Sequence, residues 1–368
     1  MDATNTAPDI MNRRHFLTAA TLATAAFAAS KFPVHAAAAP LLDASGQRIR
    51  LGMDNFAVRA LGLKGRGLVD YAARLKLDTL FITDLPALGS LEIPATQELA
   101  KYAASQQVQL LLGSWSICPS SKTFKKDWGT AEEHLALGLK LSKAAGSPVF
   151  RVVLGAREDR RSPGGIEARM EDTVRVLKSC RNLALDLGVK VAVENHAGDM
   201  TATELCWLVE AAGREFVGVN LDCGNALWTL EDPMESLERL GPYTLTTSLR
   251  DSAVWQTEKG CKVQWTAFGE GQCIDWKPFF QRFAQLCPGV AVNVETIGGF
   301  AVELPYNEPD FWAAFPKKTA AEFVRFLQLA QRGKAVEQFD GGDKAKQEGE
   351  LVRSIQYLRE TIGLGVRS

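Results

Sequence analysis

Histidine is scarce in this chain: there are four in 368 residues, and two of them, His15 and His35, lie in the first forty. The remaining pair, His134 and His196, cannot supply a histidine-rich multi-zinc nuclease site. Charge of one sign is lacking as well. Lys plus Arg number 42 against 43 Asp plus Glu, a net charge of −1, and no segment concentrates the basic residues, so no nucleic-acid partner is expected. Seven cysteines make an odd count without a CxxC pair, which argues against a zinc knuckle or a disulfide scaffold and leaves most thiols as core residues. No apolar run spans a bilayer comfortably; the best candidate, Phe16 to Ala29, is short and rich in Ala and Thr. What the chain does have is 46% hydrophobic against 23% charged residues, enough for a substantial core.

The N-terminus has its own logic. Arg13 and Arg14 directly precede the apolar run, and the VHA that ends at Ala36 offers the small-x-small pattern of a cleavage site. This resembles a twin-arginine export signal. Residues 1–38 are therefore expected to be a signal peptide, and the mature protein to be periplasmic or exported, with no membrane association once the signal is removed. The alternative is a cytosolic protein with an uncleaved basic helix.

From Arg50 onward, short β-rich runs alternate with longer amphipathic ones. The runs RLGMDN, DTLFIT, VQLLLG, VFRVVLG, KVAVEN, VGVNLD, YTLTTSL and AVNVET predict eight strands. Helix starts are marked where Thr130 precedes Glu133, Thr201 precedes Glu204, and Asp232 precedes Pro233 and Glu235. Parallel strands need crossovers, and eight such units over this length close a barrel rather than an open sheet. The expected class is α/β, a (β/α)8 TIM barrel over residues 48–332. No Gly-rich phosphate fingerprint follows the first strand, which argues against a dinucleotide-binding sheet. Residues 333–368 read as a polar surface linker, DGGDKAKQEGE, and a last helix near Leu351 to Thr361.

In such a barrel the active site lies at the C-terminal ends of the strands. The fifth, sixth and eighth strands end in Glu194, Asp222 and Glu295, after VAV, VNL and VNV. Three carboxylates around one mouth repel one another unless something positive lies between them, and a divalent cation is the economical answer. Taken singly, each acid reads equally as a helix cap or the partner of an arginine. Glu194 and His196 are two apart and project to the same side if the strand continues. His196 is then an acid/base or ligand candidate, or it fixes a loop through backbone hydrogen bonds. His134 lies on a helical pattern and reads as surface or packing.

The pieces VENH, LDCGN, SLRD, GEGQCIDW and VNVE, in this order, resemble the sugar phosphate isomerase/epimerase group of xylose isomerase-like TIM barrels. The resemblance implies a divalent metal held by Glu194, Asp222 and Glu295 and by the position where that group has the His of H-x-K-D. Here that position is Ser248, with Arg250 and Asp251 at the Lys-Asp positions, and Asn225 stands where the group often has a second His. Hard oxygen ligands suit Mg, Mn or Ca. The resemblance further implies abstraction of a proton beside a sugar carbonyl, with Glu194 and Glu295 doubling as base and acid and Asp222 as ligand only.

The same enediolate serves β-elimination, so a dehydratase of inososes or a lyase of 3-keto-glycosides is an alternative. Export favours free sugars and glycosides over sugar phosphates. A metal-free variant working through Arg250 and His196, and a non-catalytic sugar-binding barrel, are the remaining readings. The expected partner is a small-molecule carbohydrate. For its binding the sequence offers Trp115, Arg151, Asn225, Arg250 and Trp228, with further loop aromatics at Trp255, Trp265, Tyr306 and Trp312. Arg151 and Arg157 either bind substrate oxygens or neutralise Glu158 and Asp159.

Overall fold

Eight short apolar runs become parallel strands because both faces of each are covered, one by helices and one by the barrel interior. The computed structural model describes residues 38–367; the expected signal segment, apart from its last residue, lies outside the described residues. The strands are β1 (Leu51–Asp54), β2 (Thr79–Ile82), β3 (Gln109–Ser116), β4 (Val149–Val153), β5 (Lys190–Glu194), β6 (Val217–Leu221), β7 (Thr244–Thr247), β8 (Asp251–Gln256), β9 (Cys261–Thr266), β10 (Val292–Val294) and β11 (Ala301–Leu304). The main sheet runs β10-β1-β2-β3-β4-β5-β6-β7. A parallel bridge from Leu249 to Val294 closes it, helped by the Glu295 N–H donating to the Leu249 carbonyl at 2.8 Å. The fold is the (β/α)8 barrel that the strand count predicts.

Phe81, Leu111 and Val149 pack with Leu245 as a cluster apart from the main core. They come from β2, β3, β4 and β7, so they meet inside the barrel and plug it below the strand ends. The larger core lies between the strands and the surrounding helices. Two of the expected helix starts are full capping boxes. Thr130 heads the helix Ala131–Ala145, and Thr201 heads Ala202–Ala212. Asp232 caps Pro233–Leu240 through the Met234 N–H. Thr130→Ala should destabilise the protein by about 1 kcal/mol through loss of one cap, read as a lower urea midpoint with unchanged m-value.

The structure adds two features to the sequence reading. β8, β9 and β11 form an antiparallel sheet beyond the seventh barrel strand, with β9 central, where the sequence offered only loop aromatics. The second half of the supposed linker is helical, spanning Lys344–Tyr357. Before Leu351 its buried positions are Gln347 and Glu350, so the inward face of that part is polar and leaves no apolar period to read. Gln347 accepts the Ala60 N–H at 2.9 Å, and the Ser354 hydroxyl accepts that of Phe268 at 3.0 Å. Among the described residues no helix is long and apolar enough to cross a membrane. The seven cysteines are free and six are buried, as their lack of spacing suggested.

Candidate active site

Glu194 is the last residue of β5, Asp222 follows β6, and Glu295 follows β10. The barrel brings them together: one oxygen from each lies within 4.8 Å of the others. They are 0, 0 and 3% exposed, a burial that ionised carboxylates tolerate only with close partners. The partners are two equally buried arginines. Arg151, on β4, gives Nε and Nη2 to Glu194 Oε2, each at 2.6 Å, and Nη1 to the Ser114 carbonyl at 3.0 Å. Arg250 places Nη2 against Asp222 Oδ2 at 2.5 Å and also against Glu295 Oε2. Asn220 completes the cradle of Glu194, its Nδ2 donating to Oε2 at 2.6 Å.

Backbone groups fix the acids too. Asp222 caps the short helix Cys223–Ala226 with Oδ1, accepting from Gly224 and Asn225, while Oδ2 faces the site. It is thus both helix cap and arginine partner, the two readings a strand-end acid allows. Gly224 is required here, since a Cβ would lie 2.4 Å from Arg250 Cγ as that side chain crosses the turn. Asn195 ties β5 to β6 beyond the sheet, its amide exchanging hydrogen bonds with the Asp222 backbone at 2.7 and 2.9 Å.

The electrostatic consequences differ from acid to acid. Burial works most strongly against the charge of Glu194, but the Arg151 guanidinium, together with His196 and Arg250, offsets it and holds this carboxyl below the usual range. Burial dominates at Glu295 and pushes it well above, Arg250 notwithstanding. Burial likewise raises Asp222 to about 7 against the pull of Arg250. A fourth buried acid, Asp54 at the end of β1, is raised by burial to about 6 and accepts hydrogen bonds from Phe56 and Thr83. Ser248 turns its hydroxyl to this Asp54, at 3.3 Å from Oδ2.

His196 is half-buried beyond the end of β5, its Nδ1 2.7 Å from the Gly155 carbonyl and its ring edge-on to Trp115 at 5.3 Å. A carbonyl only accepts, so Nδ1 carries the proton. Burial lowers the imidazole to about 4, leaving it neutral. The loop-fixing reading therefore describes Nδ1, and Nε2 keeps its lone pair for other work. Asn225 gives Nδ2 to Asp222 Oδ2 at 2.8 Å and reaches Glu194 Oε1 at 3.4 Å. Trp228 stacks on Trp265 at 4.7 Å, and Trp265 lies under the Arg250 guanidinium at 4.3 Å. Arg250 Nε and Nη1, Asn225 Oδ1 and both indole N–H groups are buried with no hydrogen-bond partner among the described residues.

Other candidates sit elsewhere. Arg157 pairs with Glu158 at 2.9 Å. Trp255 lies beside Lys262, and Tyr306 and Trp312 pack on Phe323. His134 is buried against the Ser114 hydroxyl at 2.7 Å, so packing rather than surface describes it. A cavity of about 350 Å³ opens beside Trp115 and another of about 320 Å³ beside Trp228. Neither of these two is lined by the three acids.

Residues 58–313 match the sequence profile described as xylose isomerase-like TIM barrel. The chain belongs to that family. An inosose dehydratase from Geobacillus kaustophilus is 27% identical over 179 residues, which is 45% of this chain and 56% of that protein; the match spans about half the relative's length. Two solved structures share the fold. One is D-psicose 3-epimerase in the presence of D-fructose (14% identity, 86% of this chain and 100% of that one, TM-score 0.56). The other is the IOLI protein with a zinc atom (16% identity, 76% and 95%, TM-score 0.51).

Within this xylose isomerase-like barrel the S-L-R-D and G-E-G segments explain each other. Asp251 Oδ2 accepts from the Gly269 and Gly271 backbones and from the Trp276 indole, at 2.9, 3.1 and 2.9 Å. It is the hub of the loop and not a member of the acid cluster. A Cβ on Gly271 would meet Asp251 Oδ1 at 2.3 Å, so only glycine passes so close.

The triad's oxygens are spaced as ligands sharing one cation, and metal binding is compatible with that spacing. The donor set around them is less open to a divalent ion. Glu194 Oε2 already receives three N–H groups, the point shared by Asp222 and Glu295 is filled by Arg250, and the Ser248 hydroxyl is directed to Asp54. As arranged, these residues do not fit a metal centre.

Proposed function

We propose that this barrel is a carbohydrate-active isomerase or epimerase that removes a proton from the carbon beside a sugar carbonyl. The observation that carries the reading is the convergence of Glu194 and Glu295, from strands on different sides of the barrel, on one buried point. Their environments support a division of labour. Glu194, whose carboxyl is held down with the help of Arg151, is suited to accept a proton, and Glu295, whose carboxyl is pushed up by burial, is suited to donate one. Asp222 orients Arg250, and neutral His196 offers Nε2 to a substrate hydroxyl. Arg250 and Asn225, which touch the acids, and Trp265 and Trp228, stacked beyond Arg250, carry buried polar atoms without partners among the described residues; such groups cost about 1–3 kcal/mol each if left unpaired, and a polyhydroxylated ligand would pair them.

The match to an inosose dehydratase favours a second reading, loss of water or of a glycosidic oxygen from the same enediolate. If residues 1–38 act as an export signal, the substrates are free sugars or glycosides. Incubation with ketoses, inososes and 3-keto-glycosides, followed by NMR of the products, tests both. Epimerised or isomerised sugar supports the first reading and an unsaturated product the second. Unchanged substrate in all three classes contradicts both.

A further inference from the structure

We infer that the Arg250 guanidinium takes the place of the divalent cation at this strand-end acid cluster, so that the site works without a bound metal. The assignment of the cation rests on geometry alone; its catalytic half rests on the proton-transfer reading above. Arg250 is 1% exposed and reaches two of the three acids with a single nitrogen. Burying a guanidinium this deeply costs several kcal/mol unless it is paired, so its contacts with the oxygens of Asp222 and Glu295 are what hold it there. Its face lies on the Trp265 ring at 4.3 Å, a cation–π contact that limits rotation away from the acids. The Gly224 turn, which leaves no room for a Cβ beside Arg250 Cγ, shapes a channel for this side chain.

The third acid is committed to another guanidinium. Glu194 Oε2 is saturated by Arg151 and Asn220. A divalent ion entering here would have to expel Arg250 from two charge-assisted hydrogen bonds and then sit beside two positive side chains, which Coulomb repulsion opposes. The position that could add an imidazole holds Ser248, engaged with Asp54.

Arg250 also has the donors that the chemistry needs. Nε and Nη1 are buried and without a hydrogen-bond partner among the described residues, so two N–H directions remain for a substrate oxygen. In the step this supports, Glu194 takes the proton from the carbon beside the carbonyl. The C–H electron pair becomes the enediolate double bond, the carbonyl oxygen takes the negative charge, and Arg250 N–H groups stabilise it. Glu295 or Glu194 returns the proton to carbon.

The test uses the full chain purified without chelator. Elemental analysis is expected to find no stoichiometric Mn, Mg, Ca, Zn, Fe or Co, and the melting temperature is expected to be unmoved by millimolar Mn²⁺ or Mg²⁺. Arg250→Met keeps the apolar stem and removes the cation. It should take up Mn²⁺ and melt about 5 °C higher with the ion at saturation than without it. Should that variant not fold, Arg250→Lys serves, since an ammonium keeps the charge but not the planar fork; about 100-fold lower turnover at unchanged metal content is the expected result. A metal equivalent that survives desalting in the wild type, or turnover abolished by EDTA and restored by a divalent ion, overturns the inference while leaving the proton-transfer reading standing. Metal-free protein inert towards every sugar class leaves Arg250 as the cation and removes the proposed reaction.

Discussion

Glu194→Gln is expected to lower turnover by about 100- to 10,000-fold, the usual worth of a positioned general base. The amide has the shape of the carboxylate but cannot accept a proton. Its nitrogen or oxygen must also face Arg151 and Asn220, three N–H groups that now converge on Oε2, so the variant should be checked for an unchanged fold by circular dichroism. Glu295→Gln should be comparably slow in forming product, with a different signature. If Glu295 supplies the returning proton, its loss leaves abstraction by Glu194 intact, and the variant should still exchange substrate hydrogen with solvent while failing to complete the reaction. Steady-state turnover beside solvent exchange separates the two roles. Full turnover in either variant contradicts the role given to that residue.

Arg151→Met should destabilise the protein by about 3–5 kcal/mol, the expected loss when one partner of a buried ion pair is removed. The reason is the carboxylate left behind. Glu194 is wholly buried and its ionisation depends first on Arg151, so without the guanidinium it must protonate or carry an uncompensated charge. Urea denaturation at neutral pH measures the loss. The double variant Arg151→Met/Glu194→Gln should recover part of it, because an amide needs no counter-charge, and the double-mutant cycle then gives the coupling. Additive losses would show that the pair does not depend on itself as the geometry implies.

Some of this architecture is legible in the amino-acid sequence alone, and some is not. The barrel was legible because its strands are buried on both faces and therefore read as continuous runs such as FRVV and VAVE. The acids were legible because each ends such a run, where an apolar pattern gives no other reason for a carboxylate. Asp54 ends RLGMD in the same way, and the same signal would have found it. Asn220 was also detectable, as an amide interrupting the apolar strand VGVNL. The pairing was not legible. Arg151 has Glu158 and Asp159 nearby in sequence, yet it reaches across to the neighbouring strand for Glu194, a contact set by the register Val153 to Glu194. The pairing of Arg250 was equally hidden, since its partners follow β6 and β10 and only barrel closure brings them together. The β8–β9 hairpin escaped because its alternation falls where a barrel repeat calls for loop and helix.

The proposed chemistry depends on one event, transfer of a substrate carbon's proton to Glu194. Incubating a turned-over sugar in D2O and following it by NMR measures that event directly. Wild-type protein should place deuterium on the carbon beside the carbonyl, and Glu194→Gln should place none. Product formed by the wild type without any deuterium, as in a direct hydride shift between carbons, or equal labelling by the variant, would contradict it.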